Sequence, residues 1–339
     1  MKVLLLQLKR IGDLILTTPA IAAVREKFPD ATITLVIARE CAELTPAISG
    51  IDRALVVRRG WRDLSVFFTI AREKFDYCID FTQNDRSALL TFFSRAKRRV
   101  VSARVKRKSA KRARVYNKFA KVRLKDMHTL DYNLGLLAPL GVDDAPSRLH
   151  LELPPAADEG ARQLLQLCKI DNQFVIFHPG SARAEKFWEA ARWAEIIERT
   201  RRKWGVEVAI TGGTGKVEQK NIRAIKRKAG GEIADLSGKT DLLTLAALIK
   251  RARLLVTVDS AAMHLAAAQG TPQVALFGPT NPFHWRPRES PALILLGESP
   301  VPLSEFSPKR ERLPMQQIST EAVFNAMDSL LSAPAAQFS

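Results

Sequence analysis

The 339-residue chain is poor in cysteine, tyrosine, methionine and histidine, with 3, 3, 5 and 5 of each. Cys41, Cys78 and Cys168 are scattered and form neither a CxxC pair nor an even set. That excludes a disulfide framework and suits a reducing, cytoplasmic setting. The histidines are dispersed, with no HxxxH or DxD pairing, so no metal constellation is present to read. Phosphate loops of the GxxxxGK[ST] and GxGxxG kinds are missing too. No apolar run approaches the ~20 residues that span a bilayer. The opening MKVLLLQLKRIGDLILTT has the look of a signal peptide. However, Gln7, Lys9, Arg10 and Asp13 interrupt it and no small-residue cleavage site follows, so a buried first strand accounts for it better. The last deficit is acid. Against 53 Lys and Arg stand 35 Asp and Glu, a net charge of +18. A negatively charged partner follows: nucleotide, nucleic acid, anionic lipid or phosphorylated glycan.

What is present is ordinary globular material, 46% hydrophobic, in which strand-like and helix-like runs alternate. VLLLQL, TITLVIA, ALVV, YCIDF and RRVVSA read as strands. LILTTPAIAAVREKF, DLSVFFTIAREKF, DRSALLTFFSRA and HTLDYNLGLLAPLG read as helices between or after them. Pro146, Pro154 and Pro155 punctuate a stretch without helical period, and the alternation then restarts with FVIFH. The pattern predicts α/β architecture with two parallel-sheet, Rossmann-like domains facing across a cleft, at 1–150 and 151–318. A last helix near 320–331, within a tail 319–339, is expected to pack back on the N-terminal domain.

The segment from Leu254 to Trp285 is the most informative. LLVTV is a strand buried on both faces, AAMHLAAAQG a short helix closed by Gly270, and QVALF a second strand ending at GPTNP. Backbone amides of Ser260, Ala261 and Ala262 would face an anion at the helix start. Asp259, itself an anion, suits a helix cap or the hydroxyls of a sugar. His264, one turn on, reads either as packing or as a titratable group beside phosphate.

Three further places carry polar groups at strand ends, and a basic block stands apart from them. In Lys9-Arg10-Ile11-Gly12-Asp13 the glycine permits a tight turn. Asp13 reads as a helix cap on position alone, or as a general base toward a cleft. His178-Pro179-Gly180-Ser181, with Lys186 just beyond, could hold a phosphate or be a plain surface loop. Thr211 to Gly215 is a Gly-rich turn whose following Glu218 could meet ribose hydroxyls or merely favour a helix N-terminus. Between Arg95 and Lys125 lie fifteen Lys or Arg and no acid. With only Tyr116 and Phe119 as aromatics, this block lacks a nucleic-acid signature and suits an anionic membrane surface or a phosphorylated acceptor. Arg53, Arg58, Arg59 and Arg62 extend the same basic character.

Taken in order, LLLQLKRIGDLILTTPAIAAVREKFP, HPGS with Lys186 and Trp188, TGG, LSGKTDLLTLAALI and VDSAAMHLAAAQGTPQVALFGPTNP resemble the ADP-heptose:lipopolysaccharide heptosyltransferases of glycosyltransferase family 9 over nearly the whole chain. MHTLDYNLGLLAPLG leans toward the third heptosyltransferase type. The resemblance implies a GT-B fold, an inverting transfer without cofactor or metal, and Asp13 as catalytic base. Ser181, Lys186, Glu218, Thr240, Asp259, Ser260, Ala261 and His264 would serve the ADP-heptose donor. Lys9, Arg10, Arg58, Arg59, Arg62, Arg104, Lys106 and Arg107 would serve a phosphorylated lipid A–Kdo/heptose acceptor. The enzyme would be cytoplasmic, held at the inner face of the inner membrane by its anionic surface, with no nucleic acid as partner. Rival readings are a GT-B enzyme using another nucleotide-sugar, a sugar-nucleotide epimerase and, more distantly, a basic nucleic-acid-binding protein.

Overall fold

A computed structural model of the chain describes residues 1–58, 60, 63–143 and 145–332. Two compact units divide between Glu152 and Leu153, and each is built on one six-stranded parallel sheet. The first holds β1 (Lys2–Gln7), β2 (Thr32–Ala38), β3 (Arg53–Val57), β4 (Tyr77–Asp80), β5 (Arg98–Ser102) and β6 (Lys118–Ala120). The second holds β7 (Phe174–His178), β8 (Glu207–Ile210), β9 (Ala234–Asp235), β10 (Leu254–Val258), β11 (Gln273–Phe277) and β12 (Ala292–Leu296).

Strand order is β3-β2-β1-β4-β5-β6 in the first sheet and β12-β11-β10-β7-β8-β9 in the second. Counted within its own unit, the second order is the first read from the opposite edge. Each is a doubly wound sheet whose winding reverses once, between β1 and β4 and between β7 and β10. Ligands of such sheets collect beyond the carboxyl ends of the strands at that reversal. The central strands are continuous apolar runs because helices cover both faces: Val3 to Leu6, Leu254 to Val256, Val258 and Val274 to Phe277 are fully buried.

Several elements differ from the sequence expectation. LILTTPAIAAVREKF forms two helices, Ile11–Ile15 and Thr18–Lys27. Pro19 has no N–H to give, and the Thr18 hydroxyl donates to the Ile15 carbonyl instead, at 2.8 Å. HTLDYNLGLLAPLG likewise splits, into Thr129–Gly135 and a 3-10 turn Ala138–Leu140 around Pro139. The basic block is ordered into β5, β6 and the short helices Arg104–Lys108 and Ala110–Ala113. Helix Pro155–Leu167 and strand β12 were not anticipated. The final helix, Thr320–Leu331, buries its apolar face in the second unit's core, where Ala322, Val323, Ala326, Met327 and Leu331 join Trp193, Ile196 and Val256. Among the described residues no helix is long and apolar enough to cross a membrane.

Candidate functional site

In the second unit, β10 runs directly into the helix Ala261–Gln269. Ser260 is the N-cap in an extended conformation, and its side chain makes no cap bond. The first-turn amides are therefore not closed by that side chain. The Ser260 hydroxyl lies instead 3.1 Å from that of Thr257. Asp259 does not cap the helix either. Its Oδ2 accepts from Lys186 Nζ at 2.6 Å and from the Thr280 hydroxyl at 2.6 Å, and Lys186 also donates to the Asp259 carbonyl at 3.1 Å. The two charged side chains are only 11% and 10% exposed. A pair so withdrawn from water is held firmly, because either charge alone would be costly. Lys186 reaches this place from a 3-10 turn, Ala184–Lys186, after β7.

His264, at the second turn of that helix, is buried, and its Nδ1 has no hydrogen-bond partner. Burial pushes its pKa down to about 4; the Asp259 carboxylate works against this and Lys186 works with it. Its surroundings thus favour the neutral ring.

Beyond β8, Glu218 stands in the first turn of helix Lys216–Ala229 and accepts from the Gly213 amide at 2.9 Å. The same carboxylate fills the space over Gly180: a Cβ there would lie 1.7 Å from Glu218 Oε1. Gly180 is thus glycine because the acid of another strand end occupies its side. His178 Nδ1 and Thr211 Oγ1, at the ends of β7 and beyond β8, are 2.9 Å apart. Burial lowers the His178 pKa to about 4. Ser181, next to Gly180 in the chain, is half-buried, as is Thr240.

In the first unit, Asp13 is the third residue of the helix that follows β1, with Arg10 as N-cap. Its carboxyl pKa is raised by burial, against the Lys9 charge, the Arg10 backbone amide that bonds it, and the Arg10 charge. Asp13 is therefore not the N-cap itself; it sits in the first turn, where its carboxylate reaches back to the amide of the N-cap residue. Lys9 Nζ donates to the Phe81 carbonyl at 3.0 Å. Beside it, at the end of β4, Asp80 is buried and accepts from Thr82 and Gln83 amides and from the Ser87 and Tyr116 hydroxyls, at 2.6–2.9 Å. Asp80 thereby ties β4, helix Asp85–Phe93 and the basic block together.

Of the basic residues expected to serve an acceptor, Arg104, Lys106 and Arg107 are exposed on Arg104–Lys108, with Lys106 Nζ 3.9 Å from the Phe119 ring centre. Arg58 is exposed, with its backbone amide on Asp63. Arg59 and Arg62 lie outside the described residues. Other cations of the block are structural: Arg99 binds the Ala96 and Val115 carbonyls, and Arg112 the Gln83 carbonyl.

Sequence reasoning missed Thr280, His178 with Thr211, and Asp80 with Tyr116. Thr280 was visible only as part of a GPTNP turn, yet it follows β11, the strand beside β10. A polar residue just past a strand next to the winding reversal is the signal that was there.

The glycosyltransferase family 9 (heptosyltransferase) model matches residues 64–307. Lipopolysaccharide heptosyltransferase 3 of Escherichia coli is 28% identical over 292 residues, covering 81% of this chain and 83% of that protein. A glycosyl transferase of family 9 from Veillonella parvula superposes with a TM-score of 0.85 at 26% identity, over 98% of this chain and 97% of its own. The E. coli heptosyltransferase WaaC with ADP gives 0.72 at 19% identity, over 97% of each, a likeness of fold. The expected GT-B class, two Rossmann-like α/β domains, is the class found.

Proposed function

Since the chain belongs to glycosyltransferase family 9, the heptosyltransferases, and is thus a glycosyl-transferring enzyme, we propose that it moves L-glycero-D-manno-heptose from ADP-heptose to a hydroxyl of the lipopolysaccharide inner core, with inversion. The observation that carries this reading is the Lys186–Asp259–Thr280 cluster at the start of helix Ala261–Gln269, at the winding reversal of the second sheet.

The donor diphosphate sits against the amides of Ser260 and Ala261, with Ser181 and Lys186 beside it. Asp259 holds Lys186 through Oδ2 and offers Oδ1 to heptose hydroxyls, since a carboxylate has acceptor sites to spare. Glu218 meets the ribose, Thr240 borders the adenine, and neutral His264 backs the helix turn that faces the phosphate. The acceptor hydroxyl gives its proton to Asp13. Its oxygen attacks the anomeric carbon from the face opposite ADP, and the bond to the leaving phosphate breaks with its electron pair. The charge that grows on ADP is met by Lys186 and the helix amides.

Lys9, Arg10, Arg58, Arg104, Lys106 and Arg107, with Arg59 and Arg62 on sequence grounds, receive the phosphorylated, lipid-anchored acceptor. The basic helix adds attraction to an anionic leaflet, about 1 kcal/mol per residue near the surface, which would keep the enzyme at the inner face of the inner membrane. The third heptosyltransferase type is the subtype the similarity to heptosyltransferase 3 favours.

Calorimetric titration with ADP-heptose, ADP, UDP-sugars and GDP-sugars tests the reading. Selective binding of the ADP compounds is expected. Binding of only a uridine or guanosine donor would keep the fold and overturn the heptose assignment.

A further inference from the structure

Five large apolar side chains of the first unit stand in the open on two packed helices. Leu64 and Phe68 share one face of Leu64–Arg72 at i, i+4, and Phe68 is 66% exposed. Leu89, Phe92 and Phe93 project from Asp85–Phe93, with Phe92 63% exposed. The rings of Phe67 and Phe93 meet edge to face at 5.6 Å, and those of Phe92 and Phe93 at 5.7 Å, which joins the two stripes into one surface. Folding does not explain them, because the same helices already bury Val66, Ile70, Ala88 and Leu90 on their inner side. A contiguous exposed apolar patch of this kind marks an interaction surface.

Charge decides what covers it. Arg72 is exposed one turn beyond Phe68, and Arg95 is exposed two residues beyond Phe93. Ala88 packs with Val101, Val105 and Tyr116, so the basic helix Arg104–Lys108 borders the same helix. The acids near this rim are paired: Asp85 with Arg112 at 3.2 Å, Glu73 with Arg53 at 2.5 Å, and Asp63 with Arg86. The rim is thus cationic, and the centre aromatic and aliphatic. A second copy of the chain packed face to face would set one cationic rim against another. A bilayer with anionic headgroups complements both parts.

We propose that Leu64, Phe68, Leu89, Phe92 and Phe93 form a wedge that enters the interfacial layer of an anionic membrane, rimmed by Arg72, Arg95 and the basic helix. The wedge rests on these exposed side chains; only its use, bringing the enzyme to a lipid-bound acceptor, rests on the function proposed above.

Flotation of the full chain with vesicles of phosphatidylethanolamine and phosphatidylglycerol, at low and at 0.5 M salt, tests it. The wild type is expected to float at low salt and to retain part of its binding at high salt, because apolar insertion is not screened as charge is. Phe68→Ser/Phe92→Ser changes two exposed positions and should lower the partition coefficient at least tenfold while preserving the melting temperature and ADP binding. Binding by that variant equal to the wild type at both salts would overturn the wedge. So would conversion of a wild-type dimer to a monomer without loss of vesicle binding, which would assign the patch to a second copy. Neither readout uses heptose transfer, so failure of the wedge and failure of the proposed reaction are told apart.

Discussion

The carboxyl of Asp13 is pulled in opposite directions: burial raises its pKa, while Lys9 and the backbone and charge of Arg10 lower it. A base must be unprotonated to act, so the transfer rate should climb with pH along a limb set by this group. Replacing Lys9 by Met removes the largest lowering influence, and the acid limb of kcat/KM should move to higher pH. A limb that stays in place would remove Asp13 from the step. Asp13→Asn should cost at least about 100-fold in transfer with ADP affinity near normal, whereas joint loss of both would mark Asp13 as a structural cap. The buried pair in the second unit makes a different kind of prediction. Lys186→Met leaves the Asp259 charge unpaired and should destabilise the chain by about 3 kcal/mol in urea unfolding. Lys186→Met/Asp259→Asn should recover most of that loss, because neither charge is then stranded. Equal instability of the single and double variants would mean that the pair is not what holds this loop.

Among the elements, the Gly180 turn and the helix Lys216–Ala229 depend on each other through Glu218. A methyl group at position 180 would fall 2.4 Å from Glu218 Cδ and 2.7 Å from its Cγ, so the side chain must swing away and the Gly213 amide must lose its acceptor. Gly180→Ala should therefore cost about 1–3 kcal/mol in urea unfolding, and Gly180→Ala/Glu218→Ala should restore much of it. If the double variant is no better, the obstacle lies elsewhere. This dependence shows what the sequence could and could not carry. β10 with its helix was legible, since a five-residue apolar run, a Ser at the cap and Gly270 with φ of +71° are local signals. Helix splitting at Pro19 and Pro139 was equally local and was underread. The Lys186–Asp259 pair spans 73 residues, and no periodicity encodes which strand ends become neighbours. The last helix displayed its apolar face in the sequence but not the partners that bury it, Trp193, Ile196 and Val256 among them. Asp80 was illegible for the same reason: its four donors come from a turn, a helix and the basic block.

Across the whole molecule, protons are distributed unevenly between the two units. The second unit keeps His178 and His264 neutral, with pKa values pushed down to about 4 by burial. The unfolded chain takes up protons on these rings near pH 6.5, so the unfolded state binds more protons between pH 6.5 and 4, and stability is lost as pH falls through that window. The loss is on the order of 3 kcal/mol per histidine. The first unit has the opposite device in Asp13 and Asp80, whose raised pKa values make the folded state the better proton binder, so acidification favours it. Carboxylates held below their ordinary range, such as Asp52 and Asp76 in the first unit and Asp235 in the second, keep their contribution until pH falls below about 3.8. At pH 5 His178 and His264 have begun to act against the fold. Amide exchange of the full chain at pH 7 and 5, corrected for intrinsic rates, should show protection falling in β7, β10 and helix Ala261–Gln269 while β1 and β4 hold. His264→Leu should shrink that difference, because a ring that cannot take a proton no longer favours the unfolded chain in acid. Uniform loss across both sheets would place the acid sensitivity outside these two rings.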